Sequence, residues 1–166
     1  MRIRIVLLVI FSMFYGLPAY AQNESDPIIG IAKVLDTDVI DVAGKRLFLF
    51  GIEAFEAQQL CFLNGKPWHC GQIAYRELQI LVAEGEATCI LRKDTDRKRM
   101  RFPWATCKIN GIDIAEEMVR RGMAMALREQ SEDYIDDENY AELNKIGIWK
   151  GNFLPPWAYR DKLRGM

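Results

Sequence analysis

The order of strand-like and helix-like segments is what most limits the folds open to this chain. "IIGIAKVL" (28–35), "DVIDV" (38–42) and "RLFLFGI" (46–52) are rich in β-branched and aromatic residues, and the last two flank a turn at "AGK". The next periodic segment, "QIAYRELQILVAEG" (72–85), changes period. Its Ala74, Leu78, Leu81 and Val82 recur at i, i+4, i+7 and i+8, and Gly85 is a stop signal, which predicts a helix. "EATCILRK" (86–93) and "PWATCKI" (103–109) return to strand character, and "NG" (110–111) is a turn. "DIAEEMVRRG" (113–122) reads as a helix capped by Asp113 and ended by Gly122. "SEDYIDDENYAELNKIG" (131–147) opens with a capping residue and spaces Tyr134, Glu138, Ala141 and Lys145 helically. Three strands, a helix, two strands and two helices predict an α+β fold: a five-stranded OB-fold β-barrel with three helices. The strands are expected near 28–35, 38–42, 46–52, 86–93 and 103–109, and the helices near 72–84, 113–121 and 132–146. Residues 53–70 read as an irregular loop. Gly30 suggests a bulge or a close backbone approach. The aromatic tail "IWKGNFLPPWAYR" reads as a strap over the domain.

The first 21 residues carry a different message. Arg2 and Arg4 precede an apolar run from Ile5 to about Leu17, and "AYA" (19–21) fits a cleavage site. The run is shorter than the roughly 20 residues of a membrane span. We expect a signal peptide at 1–21, a polar leader at 22–27, one domain at 28–160 and a tail at 161–166. The mature protein would be exported, periplasmic or secreted, free of the membrane and monomeric; no protein partner is readable. Removing Arg2 and Arg4 from 22 Lys+Arg leaves 20 against 23 Asp+Glu, a net charge of −3. That is a poor footprint for tight nucleic-acid binding, although "LRKDTDRKRMR" (91–101) is a local basic patch. This patch fits either a solvated hairpin loop or a phosphate-facing one.

Four cysteines, Cys61, Cys70, Cys89 and Cys107, follow the expected signal. An even count in an exported chain reads as disulfides. Three pairings are open, and 61–70 with 89–107 is favoured: the first closes a short loop, the second joins two strands. Zinc is the alternative, opposed by the lack of any C-x-x-C and by a single histidine, His69.

"DTDVIDVAGKRLFLFGIEAFE" (36–56) sets Asp36, Asp38, Asp41, Glu53 and Glu56 among apolar residues. Together with "KPWHCGQIAYREL", "KDTDR", "ATCKINGIDIAEEMVRRGMAMA" and "NKIGIWKGNFLPPWAYR", in that order, this stretch resembles the staphylococcal-nuclease-like (thermonuclease) family, in its exported, cysteine-containing branch. The resemblance covers nearly all of 30–160. It implies an OB-fold barrel and calcium-assisted phosphodiester hydrolysis. In active members two carboxylates and a carbonyl hold the metal, a glutamate activates water, and two arginines clamp phosphate.

Position by position, the match is uneven. Asp38 keeps one ligand carboxylate, Glu53 stands where the second ligand aspartate belongs, Ala54 offers its carbonyl, and Glu56 keeps the water-activating carboxylate. Thr37 and Val39 replace the family's glycine and threonine beside Asp38. The first clamp arginine falls on Phe48. The second falls on Arg99 or Arg101 in a loop two residues longer than usual. Leu127 and Gln130 stand where the family often has aromatic residues. Arg46, two residues before Phe48, would substitute only with a shifted strand register.

These departures predict an acid cluster at one barrel mouth, with Asp38 on the second strand, Phe48 beside it and no cation facing the acids. At least one carboxyl should then have a raised pKa, and calcium should bind weakly. The expected function is an exported thermonuclease-like protein of weak or no activity, binding nucleic acid weakly if at all. The alternative is a pseudo-nuclease whose barrel is a binding or assembly module in envelope or exopolysaccharide biology. A disulfide-stabilised domain without any ligand is a third reading.

Overall fold

A parallel pairing closes the sheet on itself. In the computed structural model, which describes residues 26–92 and 101–165, β1 (Ile28–Asp36), β2 (Val39–Val42) and β3 (Lys45–Leu49) form an antiparallel meander. Three short strands follow, β4 (Ile52–Ala54), β5 (Cys61–Leu63) and β6 (Lys66–Trp68), and then helix α1 (Cys70–Val82). β7 (Glu86–Leu91) pairs with the first half of β1, and β8 (Trp104–Ile109) pairs with β7. β3 then meets β8 in parallel at Phe48 with Trp104 and Leu49 with Ala105, which makes the five-stranded, OB-like barrel. β1 serves two neighbours, giving Ile28–Ile31 to β7 and Ala32–Asp36 to β2. The expected signal segment and Arg99 lie outside the described residues.

The chain then adds β9 (Ile112–Asp113), α2 (Ile114–Arg120), β10 (Ala124–Ala126), α3 (Ile135–Leu143), a 3-10 turn at Gly147–Lys150 and α4 (Pro156–Arg164). Type I′ turns at Ala43-Gly44, Asn64-Gly65 and Asn110-Gly111 match the twist of their hairpins. α1 buries the four residues whose spacing predicts it, and α2 is capped by Asp113, whose Oδ1 accepts from the Ala115 N–H at 2.9 Å. Ile40, Leu47, Leu49, Ile52, Leu78 and Met118 are among the fully buried side chains between barrel and helices.

Several expectations are corrected. Among the described residues there are four α-helices, not three, because the strap read in the tail includes α4, opened by Pro155 and Pro156. The third strand stops at Leu49; Gly51 takes a positive φ, and residues 52–54 form a separate strand paired with β10. The loop at 53–70 contains the β5–β6 hairpin. The third helix spans Ile135–Leu143 rather than 132–146: the Tyr134 ring before it is buried and its hydroxyl donates to Asp113 Oδ2 at 3.2 Å. Gly30 is a close approach to Ala43, and the bulge lies between Val34 and Asp36.

Both favoured disulfides are present. Cys61–Cys70 spans 5.6 Å between Cα atoms, and Cys89–Cys107 joins directly paired residues of β7 and β8 at 4.1 Å. They fit an oxidising compartment. No described helix is long and apolar enough to cross a membrane. The first disulfide belongs to a second small core. There Phe55, Cys61, Cys70 and Ile148 pack with Trp149 and Phe153, tying the tail to the segment that carries Glu56.

Candidate functional site at the barrel mouth

The acids do converge. A cavity of about 710 Å³ at one end of the barrel is lined by Asp38, Glu53, Ala54, Glu56 and Arg101, with Phe48 in its wall. Each comes from a fixed piece of backbone. Asp38 sits in the β1–β2 turn, one residue ahead of the strand expected to carry it, and its carbonyl accepts from the Leu49 N–H at 2.9 Å. Glu53 lies on β4, held by its pairing with Met125 of β10. Glu56 is positioned from behind by the start of α1: a Cβ on Gly71 would stand 1.8 Å from the Glu56 carbonyl, so only glycine permits this approach.

Phe48 does not leave a gap. Its ring packs 5.0 Å from Trp104 and 5.6 Å from Phe102, forming an aromatic wall. Arg46 and Arg101 lie over Phe102 at 5.7 and 5.4 Å, both lining the cavity. Arg46 reaches the mouth with β3 in its ordinary register, opposite Asp41.

The expectation that no cation faces the acids is overturned by α4. Arg160 forms ion pairs with both Glu53 and Glu56, its Nη1 donating to Glu56 Oε1 at 3.0 Å. Burial works against its charge, and the hydrogen bonds to Glu53 and Glu56 more than offset that, so its pKa lies above the ordinary arginine value. Sequence reasoning missed this residue because its partners lie 104 and 107 positions away. The signal that could have found it is the Pro-Pro start of a helix with one arginine a turn beyond.

Asp38 is the acid left over. Its recessed position, then the negative charges of Asp36, Glu53 and Glu56, push its pKa from 3.8 up to about 7, against the pull of Arg160. At least one carboxyl of the cluster is expected to rise, and Asp38 does so. Beside it Thr37 is buried, and its N–H donates to Asp36 Oδ1 at 2.8 Å. Leu127 lines the cavity, while Gln130 accepts from the Gly51 N–H at 2.6 Å and so braces the β3–β4 turn.

A divalent ion does not fit this donor set as it stands. Among the described residues no three of His, Cys, Asp and Glu are grouped to hold one, and Glu53 and Glu56 already give oxygens to Arg160. His69 is an exposed loop residue at the start of α1 and makes no capping hydrogen bond.

The chain matches no family model. It is 28% identical over 136 residues to a protein named succinoglycan biosynthesis protein ExoI, from Rhizobium meliloti (strain 1021). The alignment spans 81% of this chain and 71% of that protein. The similarity is distant.

Proposed function

We propose that this chain is an exported, thermonuclease-like barrel that binds a ligand at its mouth without efficient phosphodiester cleavage, and serves envelope or exopolysaccharide biology. The observation that carries this reading is the double pairing of Arg160 with Glu53 and Glu56. A carboxylate that must take a proton from water needs free lone pairs and a matched pKa, and one held by a guanidinium is a poor base. Phe48 supplies no bidentate donor to phosphate, and losing one such donor typically costs roughly 10²–10³ in rate. Export rests on the N-terminal segment and on the two disulfides; the biological setting rests on the name of the distant relative.

A second reading, a slow calcium-dependent nuclease, is favoured by Arg46 and Arg101 at the mouth. It requires Arg160 to release Glu56. One assay separates the two: hydrolysis of single- and double-stranded DNA and of RNA, with and without calcium, by the wild type, Phe48→Arg and Arg160→Gln. We expect the wild type to match buffer. Robust calcium-dependent cleavage by the wild type would overturn the proposal.

A further inference from the structure

We propose that a cleft beside the mouth binds a neutral carbohydrate chain of hexopyranose units. The inference deepens the binding reading above and rests on it. The cleft, about 740 Å³, shares Glu53, Leu127, Glu129 and Arg160 with the mouth and runs between β10, α3, the 3-10 turn and α4. Its chemistry differs from the mouth's in three ways.

First, it is flanked by two indoles. Trp149 comes from the 3-10 turn and Trp157 from α4, and Trp157 is 43% exposed. Trp149 is fixed by an edge-on contact with Phe153 at 5.2 Å, and its Nε1 is buried without an acceptor among the described residues. A flat apolar surface of this kind suits the C–H face of a sugar ring.

Second, the polar groups are braced. Glu138 is 3% exposed, accepts from the Ala126 N–H at 3.0 Å and pairs with Arg128. Glu138 thereby orients Arg128, and Glu53 and Glu56 orient Arg160; each guanidinium keeps donors to spare, since it has five.

Third, the charge selects the ligand. Four carboxylates face two guanidiniums. Glu53 and Glu138 are paired, while Glu129 and Glu142 make no side-chain hydrogen bond or ion pair among the described residues. The excess negative charge disfavours phosphate chains and acidic polysaccharides. A purely cationic ligand would leave the spare arginine donors without acceptors. A hydroxyl donates and accepts at once, so a polyol with an apolar face satisfies both sets.

The test is a titration of the full-length secreted protein, followed by calorimetry and tryptophan fluorescence. The probes are neutral glucan, galactan and mannan hexasaccharides, a polyuronate of the same length, and hexalysine. At least one neutral hexasaccharide should bind with a Kd of about millimolar or below, ahead of the polyuronate and hexalysine. Trp157→Ala should weaken it about tenfold or more, Trp157→Phe should recover most of the loss, and Glu142→Gln should weaken it about fivefold. Both side chains are exposed, so the melting temperature should hold. No response to any neutral hexasaccharide at about 10 mM, tighter binding of hexalysine, or wild-type binding by Trp157→Ala would each overturn the inference. Failure here with no hydrolysis in the nuclease assay sinks the carbohydrate cleft alone; nucleic-acid cleavage sinks the broader reading.

Discussion

Asp38→Asn should flatten part of the dependence of stability on pH. In the native protein the Asp38 carboxyl titrates at about 7, against 3.8 for an ordinary aspartate. Between those values the native state holds a proton that the unfolded chain releases. The raised pKa therefore contributes stability that is fully present below about pH 4 and is lost as pH rises through about 7. At 1.36 kcal/mol per pH unit the ceiling is about 4 kcal/mol. Because the mouth is open to solvent, we expect about 2 kcal/mol, or roughly 4–8 °C in a domain of this size. Asparagine matches the shape and cannot ionise. Urea unfolding of both proteins at pH 4, 6 and 8 isolates the contribution, since all other titrating groups cancel in the difference. The two should agree within about 0.5 kcal/mol at pH 4, and the variant should be the more stable at pH 8. Parallel stability curves across that range would refute the burial and repulsion assigned to Asp38.

Arg160→Gln should destabilise the fold by about 1–2 kcal/mol, and its loss should raise the Asp38 pKa further, since the Arg160 charge lowers it. Carboxyl carbon NMR would follow the titration directly. The same variant should gain about 1 kcal/mol from calcium at five times its Kd, while wild type should melt within a degree with or without it. Calcium stabilisation of the wild type would show that Arg160 does not preempt the cation. Removing either disulfide by Cys→Ser pairs should cost about 3 kcal/mol, read as a lower urea midpoint. Asp113→Ala should cost about 2 kcal/mol in the same measurement, because it removes the α2 cap and leaves the Tyr134 hydroxyl unpaired.

What was legible in the sequence was local. The buried face of α1 at Ala74, Leu78, Leu81 and Val82, the Asp113 cap, the Asn110-Gly111 turn and the five barrel strands all announce themselves within a few residues, and so does a disulfide between cysteines nine apart. β10 does not, because Ala124-Met125-Ala126 has no strand propensity of its own and is extended only by pairing with β4. The spacing of α3 predicts too long a helix because it includes Tyr134, which faces the core through its bond to Asp113, and Lys145, which takes a positive φ beyond the helix end. The site divides in the same way. The resemblance to thermonucleases located Asp38, Glu53 and Glu56, but the partner that decides their chemistry comes from the other end of the chain. Acids crowded into one mouth can be relieved by a cation, by a proton or by moving apart. This fold uses the first two from within: Arg160 takes Glu53 and Glu56, and the raised pKa of Asp38 favours its protonated form. A mouth neutralised in this way has little electrostatic need for an external metal. On the binding reading proposed above, its aromatic wall and rim arginines face the ligand, and α4, which lines both the mouth and the neighbouring tryptophan cleft, is an element the two share.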